Sequence, residues 1–157
     1  RHIQIQPPEL GRLLLTGDGE ESDGEMPAGT VDELWVGLAH LALYRAFPDV
    51  QGVVHAHPFY VMPFASLSRP IEPVLEATQK FGVIEVAKAA PAHSRELAEN
   101  VVAAMTGKED RMRKQAAAVI LPNHGVILAG KEFLAVLDAL ERVNTNAYCI
   151  LARKLLE

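Results

Sequence analysis

Two periods alternate along the chain. From Val31 to Phe47, in VDELWVGLAHLALYRAF, apolar residues recur at about a helical spacing and stop before Pro48. Thr30 or Asp32 can cap that helix. A turn covers residues 49–52, and residues 51–56 then form a short, β-branched, apolar run that predicts a buried strand. Pro58 ends it, because proline has no N–H for a ladder. A helix is expected over residues 59–67, directly after the strand. Pro70 and Pro73 punctuate a loop, a short polar stretch holds Glu76 and Gln79, and residues 80–87 (KFGVIEVA) read as strand. SRELAENVVAAMTG predicts a helix capped by Ser94 and stopped at Gly107. The charged KEDRMRK run reads as the end of that helix or as an exposed loop. Residues 117–121 form a strand cut by Pro122, Asn123-His124-Gly125 a turn, and residues 126–129 a second strand. One long amphipathic helix closes the chain over residues 133–156. Upstream, residues 13–15 read as a short strand running into TGDGEESDGEMPAG, which is dense in Gly and acids and predicts a solvated loop. Strands and helices alternate, so the class is α/β or α+β in layers, a sheet covered by helices.

Composition narrows the setting. The 157 residues suffice for one domain with a real core, and 49% are hydrophobic against 22% charged. A formal net charge of −5 opposes a general nucleic-acid surface and attraction to anionic membrane. No apolar run reaches the length of a membrane span, and the opening RHIQIQPPEL lacks a signal-peptide pattern. A single cysteine, Cys149, cannot form an internal disulfide, so a reducing, cytoplasmic setting is expected. Cys149 lies in a helical run and reads as a small buried hydrophobe. No repeat and no Gly-rich nucleotide loop is present.

The candidate chemistry is imidazole. In VVHAHPFY, His55 and His57 are two apart on a strand and project to one face. His124 occupies the turn between two later strands, where Asn123 and Gly125 suit unusual backbone angles. Three imidazoles meeting at one point would hold a divalent metal and leave room for a substrate oxygen, with zinc the default. An H-x-H pair alone reads equally as two strand histidines satisfied by backbone carbonyls, and spacing does not place His124 beside it. His2 is terminal, His93 precedes a helix cap and is expected to serve its loop, and His40 reads as a core histidine within a helix.

The order DGEMP, LALYRAFPDV after His40, GVVHAHP, SRELAENVVAAM and LPNHGVILAG resembles the class II aldolase/adducin family, from about Thr16 to the end. The resemblance implies a three-layer α/β/α fold with a largely antiparallel central sheet. It also implies a divalent metal, usually zinc, on His55, His57 and His124, and a homo-oligomer, often a tetramer, with the active site between subunits. Adducins keep this fold without the metal ligands, whereas all three histidines stand here.

Two departures from the family pattern bear on the reaction. The acid four residues before the histidine matching His40 is replaced by Val36, with Glu33 one turn earlier as a candidate. Acids in a first helical turn also simply complement the helix dipole. The family's N-terminal segment with its phosphate-binding motifs is expected to be absent, leaving one domain over residues 1–157. Glu76, in the proline-punctuated loop after the histidine pair, is the other candidate acid/base, with Gln79 as its polar neighbour. Trp35, Tyr44 and Phe47 read as core or subunit contacts. Tyr60 reads as packing, Arg69 as an exposed arginine, and RMRK as a solvated face.

The sequence thus points to a metal-dependent lyase of class II aldolase type acting on a small hydroxy-carbonyl or sugar-phosphate substrate. Related decarboxylase, dehydratase or epimerase chemistry and a non-catalytic adducin-like module are the alternatives.

Overall fold

The computed structural model describes residues 3–5 and 31–156, with side chains from Leu38 onward. The expected strand at 13–15 and the acidic loop after it lie outside the described residues, as do the side chains of Glu33, Trp35 and Val36.

Among the described residues, five strands form one sheet: β1 (Ile3–Ile5), β2 (Gly52–Ala56), β3 (Glu85–Val86), β4 (Ala117–Leu121) and β5 (Gly125–Gly130), in the order β1-β2-β5-β4-β3. β1 with β2, β2 with β5 and β5 with β4 pair antiparallel, and only β3 with β4 runs parallel. The sheet is therefore mixed but largely antiparallel. Among the described residues, six helices flank it: α1 (Val31–Ala46), α2 (Met62–Ser66), α3 (Glu76–Gln79), α4 (Arg95–Met105), α5 (Glu109–Lys114) and α6 (Phe133–Arg153).

Strand alternation makes the three layers. Val54 and Ala56 of β2, Ala118 and Ile120 of β4 and Leu128 of β5 face one way. They pack on Val136, Leu140, Val143 and Ala147 of α6. Val53, Val119, Leu121 and Ile127 face the other way, onto Leu43 of α1, Val101 and Met105 of α4, and Met112 of α5. Both faces of β2, β4 and β5 are buried, which is why these strands read as continuous apolar runs rather than as alternation.

Several boundaries depart from the sequence expectation. The run 80–87 contributes only Glu85–Val86 to the sheet, because Phe81 closes a turn onto Thr78 and Gly82 takes a left-handed φ of 63°. The helix expected over 59–67 is the shorter Met62–Ser66, since Pro58 first starts a tight turn whose carbonyl accepts from the Val61 and Met62 amides. KEDRMRK forms a helix of its own, α5, separated from α4 by Gly107 at φ 82°. Ser94 caps α4 as expected, its hydroxyl accepting from the Leu97 amide at 3.0 Å.

Asn146 is a buried polar residue on α6. Its side-chain oxygen accepts from the amides of Val74 and Leu75 and from the Thr78 hydroxyl, and its amide donates to the Glu72 carbonyl. One polar side chain thereby fixes the loop entering α3 against α6.

Candidate metal centre

The sheet order explains how distant residues meet. β2 and β5 are neighbours, with His55 opposite Ile127. His57 lies just past the end of β2, and the turn carrying His124 immediately precedes β5. That turn is held from two sides: the His124 amide donates to the Leu121 carbonyl at 3.1 Å, and the Asn123 amide donates to the Ala65 carbonyl at 2.9 Å. α2 thus anchors the turn.

Asn123 takes the left-handed conformation the sequence suggested, at φ 56°. Gly125 is required for a different reason than expected. A Cβ there would lie 2.6 Å from the Ala56 carbonyl oxygen and 2.8 Å from Cδ2 of His57. The position must be bare so that β2 and the His57 ring can close over it.

The result is a cluster of three imidazoles. Ring centroids of His55 and His57 are 4.8 Å apart, of His55 and His124 4.7 Å, and of His57 and His124 5.4 Å. One ligand nitrogen from each lies within 4.8 Å of the others. His55 is 8% exposed, and its Nε2 is buried with no hydrogen-bond partner. An orphaned buried nitrogen is costly unless something occupies it, and a cation is the occupant this donor set suits. Burial first, and then the neighbouring His124, His57, His40 and His93, push the His55 pKa down to about 3. Burial, His57 and His93 lower that of His124. Both rings are therefore neutral near pH 7, the form whose lone pair binds metal. The residues present fit a divalent ion.

A cavity adjoins the cluster between α1 and α4, lined among others by His40, His55, His93, Ser94 and His124. His40 is fully buried there, as expected of a core histidine. His93 does more than serve its loop: its ring lies 6.2 Å from that of His124. Sequence reading missed this because nothing local ties residue 93 to residue 124.

Glu76 is placed elsewhere. It is exposed at the start of α3, on the α6 layer, and does not line the cavity. Arg69 is exposed. Tyr60 packs on Tyr148 at 4.8 Å while its amide donates to Asn144, and Phe47 is core. Cys149 is half-buried on α6. Arg113 pairs with Asp49 and Asp110, and Arg111 donates to the Phe81 carbonyl, so the basic run is tied into the fold rather than merely solvated. Among the described residues, no helix is long and apolar enough to cross a membrane.

Comparison with known proteins meets this geometry. The profile of the class II aldolase and adducin N-terminal domain matches residues 23–151. The chain belongs to the class II aldolase and adducin family. Within that family, the L-fuculose phosphate aldolase of Escherichia coli is 29% identical over 117 residues, covering 73% of this chain and 48% of that protein. The 3-oxo-tetronate 4-phosphate decarboxylase of Haemophilus influenzae is 29% identical over 155 residues, covering 88% of this chain and 65% of that protein. A solved L-fuculose 1-phosphate aldolase superposes with a TM-score of 0.67 at 28% identity, over 78% of this chain and 55% of that one. The chain spans about half the length of the aldolase relatives it matches. These class II aldolase relatives are enzymes, and the fold is theirs.

Proposed function

We propose that this chain is a class II aldolase-type domain of a zinc-dependent lyase. It would cleave a carbon–carbon bond beside the carbonyl of a small hydroxy-carbonyl or sugar-phosphate substrate in the cytoplasm. The observation that carries this reading is the partly buried cluster of His55, His57 and His124 with its orphaned nitrogen. The metal, when bound, supplies a Lewis acid for the substrate's adjacent oxygens and for the negative charge that develops at the carbonyl.

The protein's own part is positional and protolytic. His55, His57 and His124 would hold the ion at the end of the sheet, and Gly125 leaves room for the His57 ring to approach the start of β5. A carboxylate must take or return the substrate's proton. Glu76 and Glu33 are the candidates. Since Glu76 is exposed and lies on the α6 layer, its role requires a neighbouring copy, with the site at the boundary of a homo-oligomer, a tetramer in this reading.

The test is direct. Metal content is measured on the purified protein, followed by retro-aldol assays on a panel of hydroxy-ketones and sugar phosphates, with and without chelator. Turnover that chelator abolishes and zinc restores is the expected result. Stoichiometric metal without turnover on any substrate favours the non-catalytic module instead. Glu76→Gln and Glu33→Gln are compared in parallel, and if neither lowers a demonstrated activity the proton-transfer assignment falls.

Decarboxylation is the second reading. It is favoured by the Haemophilus influenzae relative, which matches over more of the chain than the aldolase from Escherichia coli does. Carbon dioxide release from 3-oxo acids, absent retro-aldol products, distinguishes it.

A further inference from the structure

His93 is the histidine of this region that the metal reading leaves without a task. Its ring approaches His124 at 6.2 Å, farther than any separation within the triad, so it stands one layer outside the three ligands. It lines the same cavity as His55 and His124. The backbone that carries it is fixed. The Ser94 amide donates back to the Pro91 carbonyl, and the Ser94 side chain caps α4 one residue later. His93 itself takes a φ of 61°, where a non-glycine residue is uncommon. The fold thus holds an exposed imidazole in an unusual conformation beside a cavity whose lining, among the described residues, carries no acidic or basic side chain besides histidine.

We propose that His93 is a substrate-binding residue, donating an imidazole N–H to an oxygen of the small hydroxy-acid or hydroxy-carbonyl group held at the triad. This rests on the metal reading above and goes beyond it by naming the protein group that meets the substrate on the α4 side. Even a neutral imidazole carries one N–H donor, so the contact needs no protonation. A carboxylate or hydroxy-carbonyl oxygen is the chemistry it selects, because an imidazole N–H pairs with an oxygen acceptor.

Cobalt(II)-loaded protein is titrated with glycolate, followed by the visible absorption of the metal. The variants are His93→Gly, which suits the left-handed φ, and His93→Phe, which keeps a ring without a donor. Glycolate should bind about 10-fold more weakly to both, as for loss of one hydrogen bond to a charged group. Cobalt affinity should stay within about two-fold and thermal melting should show both variants folded. Glycolate affinity equal to wild type in either folded variant overturns the proposal. A fall in cobalt affinity overturns it as well, because His93 would then be a ligand. Wild-type protein that binds no cobalt removes the metal reading itself, which separates the two failures.

Discussion

Gly125 shows how a single missing atom sets the site. Gly125→Ala forces Cβ to within 2.8 Å of the His57 ring and 2.6 Å of a strand carbonyl. Backbone cannot yield there cheaply, so we expect about 1–3 kcal/mol of lost stability, as for overpacking elsewhere, read by thermal or urea unfolding. Metal affinity should fall at least about 10-fold in a competition titration, because the displaced ring is one of the three proposed ligands. His55 makes a second prediction. Its folded pKa, lowered to about 3 by burial and then by neighbouring histidines, lies below its unfolded value near 6.5. The unfolded chain therefore binds this proton first. In metal-free protein the contribution of neutral His55 is fully present above about pH 6.5 and is lost as pH falls towards 3. Urea midpoints at pH 7 and pH 5 should show the decline, and His55→Gln should flatten it. At this scale the sequence displayed the H-x-H pair openly. It hid His93, whose partner is set by the fold, and it suggested an unusual backbone angle at Gly125 where close approach is the real constraint.

Among elements, the long helix α6 matters most for what it fastens. Asn146→Ala removes the acceptor of two backbone amides at once, while the Thr78 hydroxyl keeps the Leu75 carbonyl as a partner. The expected cost is about 2–3 kcal/mol, since unsatisfied groups are left behind, with metal affinity unchanged because the loop lies on the other layer. Chemical denaturation and a zinc titration on the same variant check both halves. β4 was legible to the residue, and β2 and β5 to within one residue at each end, because strands buried on both faces leave unbroken apolar runs bounded by Pro and Gly. The stretch 80–87 carries the same composition, yet most of it serves a turn, a distinction that composition does not encode. β1, only Ile3–Ile5, is too short to announce itself and exists by pairing with β2.

For the whole molecule, the layer arrangement followed from the alternation of elements and the family pattern, but the adjacency of β2 and β5 did not. That adjacency, which alone brings residue 57 to residue 124, is a long-range pairing with no local signature. The surface adds a prediction. Tyr148 and Leu151 are solvent-facing on α6, Phe59 lies beside Tyr60, which packs on Tyr148, and Val74 is tied to α6 through Asn146. Apolar side chains grouped this way mark a contact surface, so light scattering should find a homo-oligomer, and Phe59→Asp with Tyr148→Asp should shift it towards monomer. The position of the imidazole cluster carries a consequence for rigidity. It joins the tip of one hairpin to the residues just past the end of the neighbouring strand, so an ion there would act as a clasp between segments far apart in the chain. Stripping it should free those two tips before anything else loosens, and hydrogen exchange would record the change at the amides of Ala56, His57, Asn123, His124 and Gly125 while the sheet interior stays protected.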